Sequence, residues 1–344
     1  MTWLPLLLAD PSPCLRWLVL RDLLGRSNDD PEILELGALR SKDALVSELL
    51  TNQKADGAWS AGVDLGLGGG DDVRVTALVL KRLAFCGFTK DIPVVERGAE
   101  YLFSQQAPNG SWPLQKMQGG ETSRDTYDMV PLQTAIPLSS LAMCGYALDA
   151  RAERGYEWLI SKRLKDGAWP TGTSSGVYGY VAGYRRLAHS RWGCRSNTTG
   201  SLVSLSLHPT LKNGLEANRA LDMLLAQERF ESSSLGFEAA RLVGAEKMRG
   251  FFTHYAHNDP ALLIALSCRI GATRQDDRVD ELVCFVLGTQ GMYGLWDYKN
   301  KPGASRWVTF DLLRTLSHLE AEGDWISLEP RTPLRPYPDI QKRY

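Results

Sequence analysis

One short motif recurs along the chain and constrains the fold more than any other feature. It is a glutamine followed by glycine and then tryptophan, as in Gln53-Lys-Ala-Asp-Gly57-Ala-Trp59. The copies end at Trp59, Trp112, Trp169 and Trp296, and the third begins with arginine in place of glutamine. The last step spans roughly two repeats, so we expect a degenerate copy near Gln227-Glu-Arg-Phe230. A period of this length predicts an array of repeated helical units.

Each copy of the motif separates two helical runs of different character. The run before it is amphipathic, and the Asp-Gly or Asn-Gly step ends the helix because glycine adopts a left-handed conformation cheaply. The run after it is nearly all apolar. The amphipathic runs are 41–50, 94–103, 151–160, 215–225 and 278–287. The apolar runs are 73–84, 132–144, 200–207, 260–270 and 308–319, with a further helix at 14–24.

This alternation predicts two concentric layers of helices. Helices that are apolar on most sides belong in an inner ring, and amphipathic helices belong outside them. We therefore predict an all-α fold, an (α/α)6 toroid of about six helical hairpins with a central apolar cavity. One such ring accounts for residues 1–328 as a single domain, followed by a Pro-rich tail at 329–344.

Composition limits the kinds of partner and the cellular compartment that we expect for this chain. With 39 Lys plus Arg and 40 Asp plus Glu, the net charge of −1 disfavours nucleic-acid binding. No run of about 18 apolar residues is present, so we expect no integral membrane association. Six cysteines are scattered without a CxxC pair, which is typical of a reducing compartment and predicts a cytoplasmic location. The oligomeric state is not constrained by the sequence.

The repeated motif resembles the QW motif of triterpene cyclases, whose toroid is shared with protein prenyltransferase β subunits. The chain is most similar to single-domain bacterial squalene cyclase-like proteins. Their beginning resembles residues 16–25 of this chain, and their end resembles residues 305–310. The resemblance covers nearly all of residues 10–325 and implies the toroid strongly but the reaction only weakly, since fold does not fix function.

Four aspartates that precede inner helices are candidate acids. Asp71 and Asp72 lie shortly before Thr76, but their spacing does not reproduce the D-x-D-D acid motif of the cyclases, and helix capping is the alternative that we favour for them. Asp125 and Asp128 belong to a dense group of ionisable residues ahead of another inner helix. Clustered buried carboxyl groups raise each other's pKa, as a catalytic acid requires. A solvated ion-pair network remains the alternative for that pair.

The next two inner helices open near residues that bind metal in other proteins. Cys194 and His257 match two of the three zinc ligands of the resembling prenyltransferase β subunits, but Trp192 stands where their aspartate would be. His254 and Asp259 could complete a set of ligands. The alternative that we favour over a metal site is a free buried thiol with two hydrogen-bonded histidines. We expect no required cofactor, with zinc or magnesium as a minor alternative.

Two irregular, aromatic stretches interrupt the repeat. They contribute candidate substrate-binding residues, because aromatic faces bind apolar ligands and stabilise cations. Arg195 is a candidate for an anion-binding rim, and loop packing over the end of the toroid is the alternative for the whole group. The aromatic candidates are Tyr178, Tyr180, Tyr184, Trp192, Phe252 and Tyr255.

The sequence thus favours a terpene-cyclase-like enzyme that acts on an isoprenoid or another small apolar substrate in a central aromatic cavity, by acid-initiated cyclisation. Two other functions remain open. One is a non-catalytic toroid that binds an apolar ligand or a partner peptide. The other is a metal-dependent enzyme of the prenyltransferase-like type.

Overall fold

The fold is an all-α toroid, as the sequence predicts. The computed structural model describes residues 2–60, 71–113, 130–174, 177–226, 230–247 and 253–319. The helices are α1 (Trp3–Leu8), α2 (Pro13–Leu18), α3 (Pro31–Leu39), α4 (Ser47–Thr51), α5 (Asp72–Phe85), α6 (Pro93–Ser104), α7 (Pro131–Leu141), α8 (Ala150–Ser161), α9 (Arg195–Ser206), α10 (Leu215–Leu225), α11 (Phe237–Leu242), α12 (Pro260–Ile270), α13 (Asp277–Gly288) and α14 (Pro302–Leu319).

Neighbouring apolar helices form the inner layer. Contacts run in order from α5 to α7, α9, α12 and α14, and α14 also packs on the π-helical turn Val19–Leu23 that continues α2. The amphipathic helices α6, α8 and α13 each pack on the inner helix that precedes them in the chain, and α10 packs on α9 and α12. The predicted helices at 215–225 and 260–270 coincide with α10 and α12. No described helix is long and apolar enough to cross a bilayer.

The four motif tryptophans lie in equivalent environments. Each is nearly inaccessible to solvent, and each indole N–H donates to the carbonyl ten residues earlier in the preceding helix. Each backbone amide donates to a threonine hydroxyl on the following inner helix. These paired bonds join an outer helix to an inner helix in every copy. The pairs are Trp59–Thr76, Trp112–Thr134, Trp169–Thr198 and Trp296–Thr309.

The motif glutamine and glycine connect one repeat to the next. Gln106 Nε2 donates to the carbonyl oxygens of Gly110 and of Arg151 in the next outer helix, both at 2.9 Å. Gly110 has φ of 89°, and a Cβ atom there would lie 2.2 Å from the carbonyl oxygen of Arg154. Only glycine permits both this conformation and this approach.

Three short helices and one hairpin were not predicted. Helices α1, α3 and α11 have too few residues for a clear period, and strands Thr173–Ser174 and Val177–Tyr178 form a two-stranded antiparallel hairpin. The expected degenerate copy falls largely on residues 227–229, and the Pro-rich tail falls on 329–344. Both lie outside the described residues.

The α11 region occupies the interior that we expected to be an open cavity. Helix α11 packs on both α14 and α5. Downstream of it, the Tyr255 hydroxyl bonds Lys81 of α5, and its ring lies 3.4 Å from where a Cβ of Gly200 on α9 would be. Helices α5 and α9 are separated in the ring by α7. This segment therefore crosses the ring's interior.

Candidate functional site

A small chamber remains beside α11 within the ring. Its volume is about 50 Å³, and its walls come from five inner-layer segments and from α11 itself. The apolar lining is Phe85, Met143, Val203, Gly236, Ala239, Leu242, Ala261, Leu262 and Ala265. The charged lining is Lys81, Glu238, Asp259, Arg269, Asp311 and Arg314. Among the described residues the chamber lining is therefore mixed in polarity, with Phe85 as its one aromatic side chain, and does not show the aromatic lining that we predicted.

An ionic cluster links α11 to the ring. The Lys81 ammonium lies 2.7 Å from Glu238 Oε1 and 2.5 Å from the Tyr255 hydroxyl, and Arg241 pairs with Glu238 Oε2. Burial lowers the pKa of Lys81 and lowers that of Arg241 to about 10. Burial favours a raised pKa for Tyr255, but Lys81 and Arg241 outweigh it and lower that pKa. Such a buried pair is costly to break, since one charge would stay unpaired.

Asp259 fixes the start of two helices at the chamber wall. Its carboxyl group accepts from the backbone amides of Gly236 and Glu238, both at 2.8 Å, and from Ala261 at 3.1 Å. It thereby caps α12 and positions the first residues of α11. Burial raises its pKa to about 7, although the amide bonds oppose that rise. Among the predicted candidates, Asp259 is the carboxyl group that lines the interior chamber.

His254 is buried beside this cluster. It is 2% exposed, and neither ring nitrogen has a hydrogen-bond partner in the described structure. Its ring meets that of Tyr255 edge-on, with centroids 4.6 Å apart. Burial, together with the charges of Arg241, Lys81 and Arg74, lowers its pKa well below the usual value. His254 is therefore neutral at physiological pH.

The two predicted acids that the structure describes, Asp71 and Asp72, do not line the chamber. Asp71 caps α5 by accepting from the amide of Arg74 at 2.7 Å. Asp72 lies 2.6 Å from the ammonium of Lys54 in a partly exposed pair. Asp125 and Asp128 fall outside the described residues.

Most of the predicted aromatic residues lie toward the protein surface. Tyr180 and Tyr184 are 70% and 63% exposed, and Tyr178 is also exposed. Tyr178 stacks obliquely on the half-buried Trp192, with centroids 6.1 Å apart. These residues surround the small hairpin and do not line the chamber, because their loop runs along the outside. The half-buried Arg195, whose pKa is lowered by burial, does not line the chamber either.

One other aromatic candidate, Tyr255, belongs to the segment that crosses the interior. Tyr255 is buried against α5 and α9, in contact with the charged cluster. Phe252 lies outside the described residues.

The candidate metal ligands do not converge within the described part of the chain. No three His, Cys, Asp or Glu side chains there are close enough to hold a metal ion. The Cys194 thiol lies 3.7 Å from the Arg185 guanidinium, and His257 packs on the Phe237 ring with centroids 5.2 Å apart. Asp259 uses its carboxyl group for backbone amides.

Sequence reasoning missed the residues that fill the chamber's polar side. Lys81 stands within the apolar run of α5, and Glu238 and Arg241 stand within the short α11. A charged residue inside an apolar helical run was a usable signal, because such residues are rarely buried without a partner. No local pattern, however, indicates that Lys81 and Glu238, 157 residues apart, would meet.

A larger, more open groove lies elsewhere on the ring. Its volume is about 300 Å³, and residues 10–12, 43–45 and 303–307 form most of its walls. Its two buried carboxyl groups already have partners. Asp10 pairs with Arg306, and Asp43 accepts from the amide of Cys14 at 3.1 Å. The chamber, where Asp259 combines burial with a raised pKa, is the stronger candidate site.

Comparisons with known proteins support the resemblance inferred from the repeats. Residues 38–184, somewhat less than half of the chain, match the family model of the squalene-hopene cyclase C-terminal domain. Lanosterol synthase from Candida albicans is 28% identical over 88 residues, which are 25% of this chain and 12% of that protein. The resemblance to squalene cyclase-like toroid proteins is thereby confirmed.

Solved structures with a similar arrangement are distant. A variant of the type II terpene cyclase MstE from Scytonema, in complex with geranylgeranyl dihydroxybenzoate, is 13% identical with a TM-score of 0.43. That comparison covers 90% of this chain and 87% of the other. A protein from Actinoplanes is 13% identical with a TM-score of 0.31, over 83% of this chain and 99% of the other.

Proposed function

We propose that this squalene cyclase-like toroid catalyses acid-initiated cyclisation of a small isoprenoid in its interior, with Asp259 as the proton donor. One observation carries the proposal: a buried carboxyl group with a raised pKa lies on the wall of the interior chamber. The match of residues 38–184 to a cyclase domain supports the reaction class.

The surroundings of Asp259 suit proton donation. Burial keeps a substantial fraction of the carboxyl group protonated near neutral pH, so a proton is available for transfer to a carbon–carbon double bond. The amides of Gly236, Glu238 and Ala261 already point at the carboxyl oxygens. They would stabilise the carboxylate that develops as the proton leaves.

The apolar part of the lining suits a cationic intermediate. Phe85 supplies an aromatic ring, and Met143 supplies a polarisable sulfur. The hydrocarbon side chains of Val203, Leu242 and Leu262 exclude water, which would otherwise trap the cation. Ligand pockets usually measure about 300–1,000 Å³, whereas this chamber measures about 50 Å³, so the interior must enlarge before even a small isoprenoid can enter.

The test is product formation from geraniol and farnesol, detected by gas chromatography and mass spectrometry. In Asp259→Asn the proton is removed while one oxygen can still accept from Gly236 and Ala261, so turnover should fall by about a hundredfold or more. Asp71→Asn is the matched control, because asparagine caps a helix as well as aspartate does. Equal turnover in the two variants, or no cyclic product from the wild type, would overturn the proposal.

A second candidate function is non-catalytic binding of an apolar ligand or a partner peptide. The observation that favours it is that Lys81 and Glu238 form a closed ion pair in the chamber wall, where a cyclase would place apolar groups. Binding of farnesol without conversion, unchanged in Asp259→Asn, would distinguish this function from cyclisation.

A further inference from the structure

Helix α11 is bounded by two glycines in the left-handed conformation. Gly236 immediately precedes it and Gly244 follows two residues after its end, and both have φ of 75°. Backbone joints of this kind absorb large dihedral changes when a segment moves as a unit. The seven residues between the joints supply Glu238, Ala239 and Leu242 to the chamber wall. A rotation at these joints would therefore change the chamber's volume directly.

Five of the six α11 residues are buried, and the polar attachments of the helix to the ring are few. Lys81 pairs with Glu238 at 2.7 Å near the start of the helix, and Arg82 Nε donates to the carbonyl oxygen of Leu242 at 2.6 Å at its end. The carboxyl group of Asp259 holds the amides of Gly236 and Glu238. Opening of α11 has to break these contacts and uncover its buried apolar residues, which is costly, but it leaves the inner helices folded because only side chains and the ends of α11 take part.

The two joints are packed differently. A Cβ atom at Gly236 would lie 2.4 Å from Val308 Cγ1 of α14, so this joint is tightly enclosed. A Cβ atom at Gly244 would have one described atom within 4 Å, the Arg82 Nη2 at 3.5 Å. Gly244 thus has room to change conformation while Gly236 is held against the ring.

We propose that α11 is a gate that pivots at Gly244 and Gly236 and opens the interior chamber to an apolar ligand. The closed state is the one described here, with Leu242 and Ala239 filling space that the ligand would take. Opening would separate Lys81 from Glu238 and enlarge the 50 Å³ chamber. The chemical class of the ligand rests on the proposed function, whereas the motion itself does not.

The wild-type protein supplies the first test, by native-state hydrogen exchange. Amides of residues 237–242 should exchange through a local opening whose free energy changes little with denaturant concentration. Amides of α12, which is also buried, should exchange only with larger unfolding. Exchange of both helices in one cooperative event would overturn the gate.

The second test uses Gly244→Ala with Gly271→Ala as a matched control. Both glycines are left-handed, at 75° and 87°, and neither has a clash that a methyl group would meet. The left-handed conformation costs alanine the same free energy at both sites. Gly244→Ala should speed exchange at 237–242, and strengthen binding of N-phenyl-1-naphthylamine to the folded protein, by about five- to thirtyfold. Gly271→Ala should change neither measurement.

An asparagine at the hinge provides an independent check. Asparagine tolerates the left-handed region better than alanine, so Gly244→Asn should give a smaller increase in exchange and probe binding. Equal behaviour of the Gly244 and Gly271 variants would overturn the gate. A gate that opens and binds the probe while geraniol and farnesol give no product would instead overturn only the proposed reaction.

Discussion

The backbone amide of Trp169 donates a hydrogen bond of 2.9 Å to the hydroxyl of Thr198, which lies on the next inner helix. Thr198 is inaccessible to solvent, as is the equivalent threonine in each described copy of the motif. The bond joins the segment that follows an outer helix to the start of the next inner helix. The stability of the ring should therefore depend on a residue outside the recognised motif.

Replacing Thr198 with valine should destabilise the protein by about 1–3 kcal/mol, because the shape is retained but the buried Trp169 amide loses its acceptor. Urea unfolding of the purified variant measures this loss. Thr198→Ser keeps the hydroxyl and should lose less. A valine variant as stable as the serine variant would show that the bond contributes little.

Gly110→Ala should be more damaging than Gly271→Ala. Both glycines are left-handed, so each substitution carries about 1–2 kcal/mol of backbone strain. At Gly110 the added methyl group also meets the carbonyl oxygen of Arg154, 2.2 Å away, whereas at Gly271 nothing lies within 4 Å. The comparison of the two melting temperatures isolates the cost of that contact. Equal losses would mean that the turn can move away from Arg154.

The free energy of unfolding should depend on pH through Asp259. Its pKa is raised from 3.8 to about 7 by burial, so the folded protein retains a proton that the unfolded chain releases. Protonated Asp259 makes its full contribution to the free energy of unfolding below about pH 4. This contribution decreases by about 1.4 kcal/mol per pH unit as the pH rises toward 7, and the free energy then levels off.

Asp259→Asn tests that dependence, since asparagine imitates the protonated form at every pH. Urea unfolding at pH 5 and pH 8 should show a larger decrease in the wild type than in the variant. Parallel pH dependence of the two proteins would place the pKa of Asp259 close to its ordinary value.

Lys81→Met should destabilise the protein by about 1–3 kcal/mol, because Glu238 Oε1 would lose a buried donor at 2.7 Å while Arg241 still pairs with Oε2. The double variant Lys81→Met with Glu238→Gln should be more stable than the sum of the single losses predicts, by about 0.5–3 kcal/mol. A double-mutant cycle from urea unfolding measures this coupling. Additive losses would indicate that the two groups do not interact.

The helices could be predicted from the sequence because their signals are local. The apolar period at 260–270 and the glycine that ends each outer helix depend only on nearby residues, and α10 and α12 coincide with their predicted ranges. Candidate acids were harder to choose. Capping and catalysis both place an aspartate before a helix, and only the structure shows Asp71 as a cap of α5 and Asp259 on the chamber wall.

The sequence by itself determined the repeated unit and its order of outer and inner helices, since both follow from periodicity and turn chemistry within a few dozen residues. The tertiary structure alone decided what fills the ring. Lys81 and Glu238 meet across 157 positions, and their ion pair joins α11 to α5. Burial then gives Asp259 a raised pKa. Such long-range contacts depend on how the whole ring packs, and no local pattern encodes them.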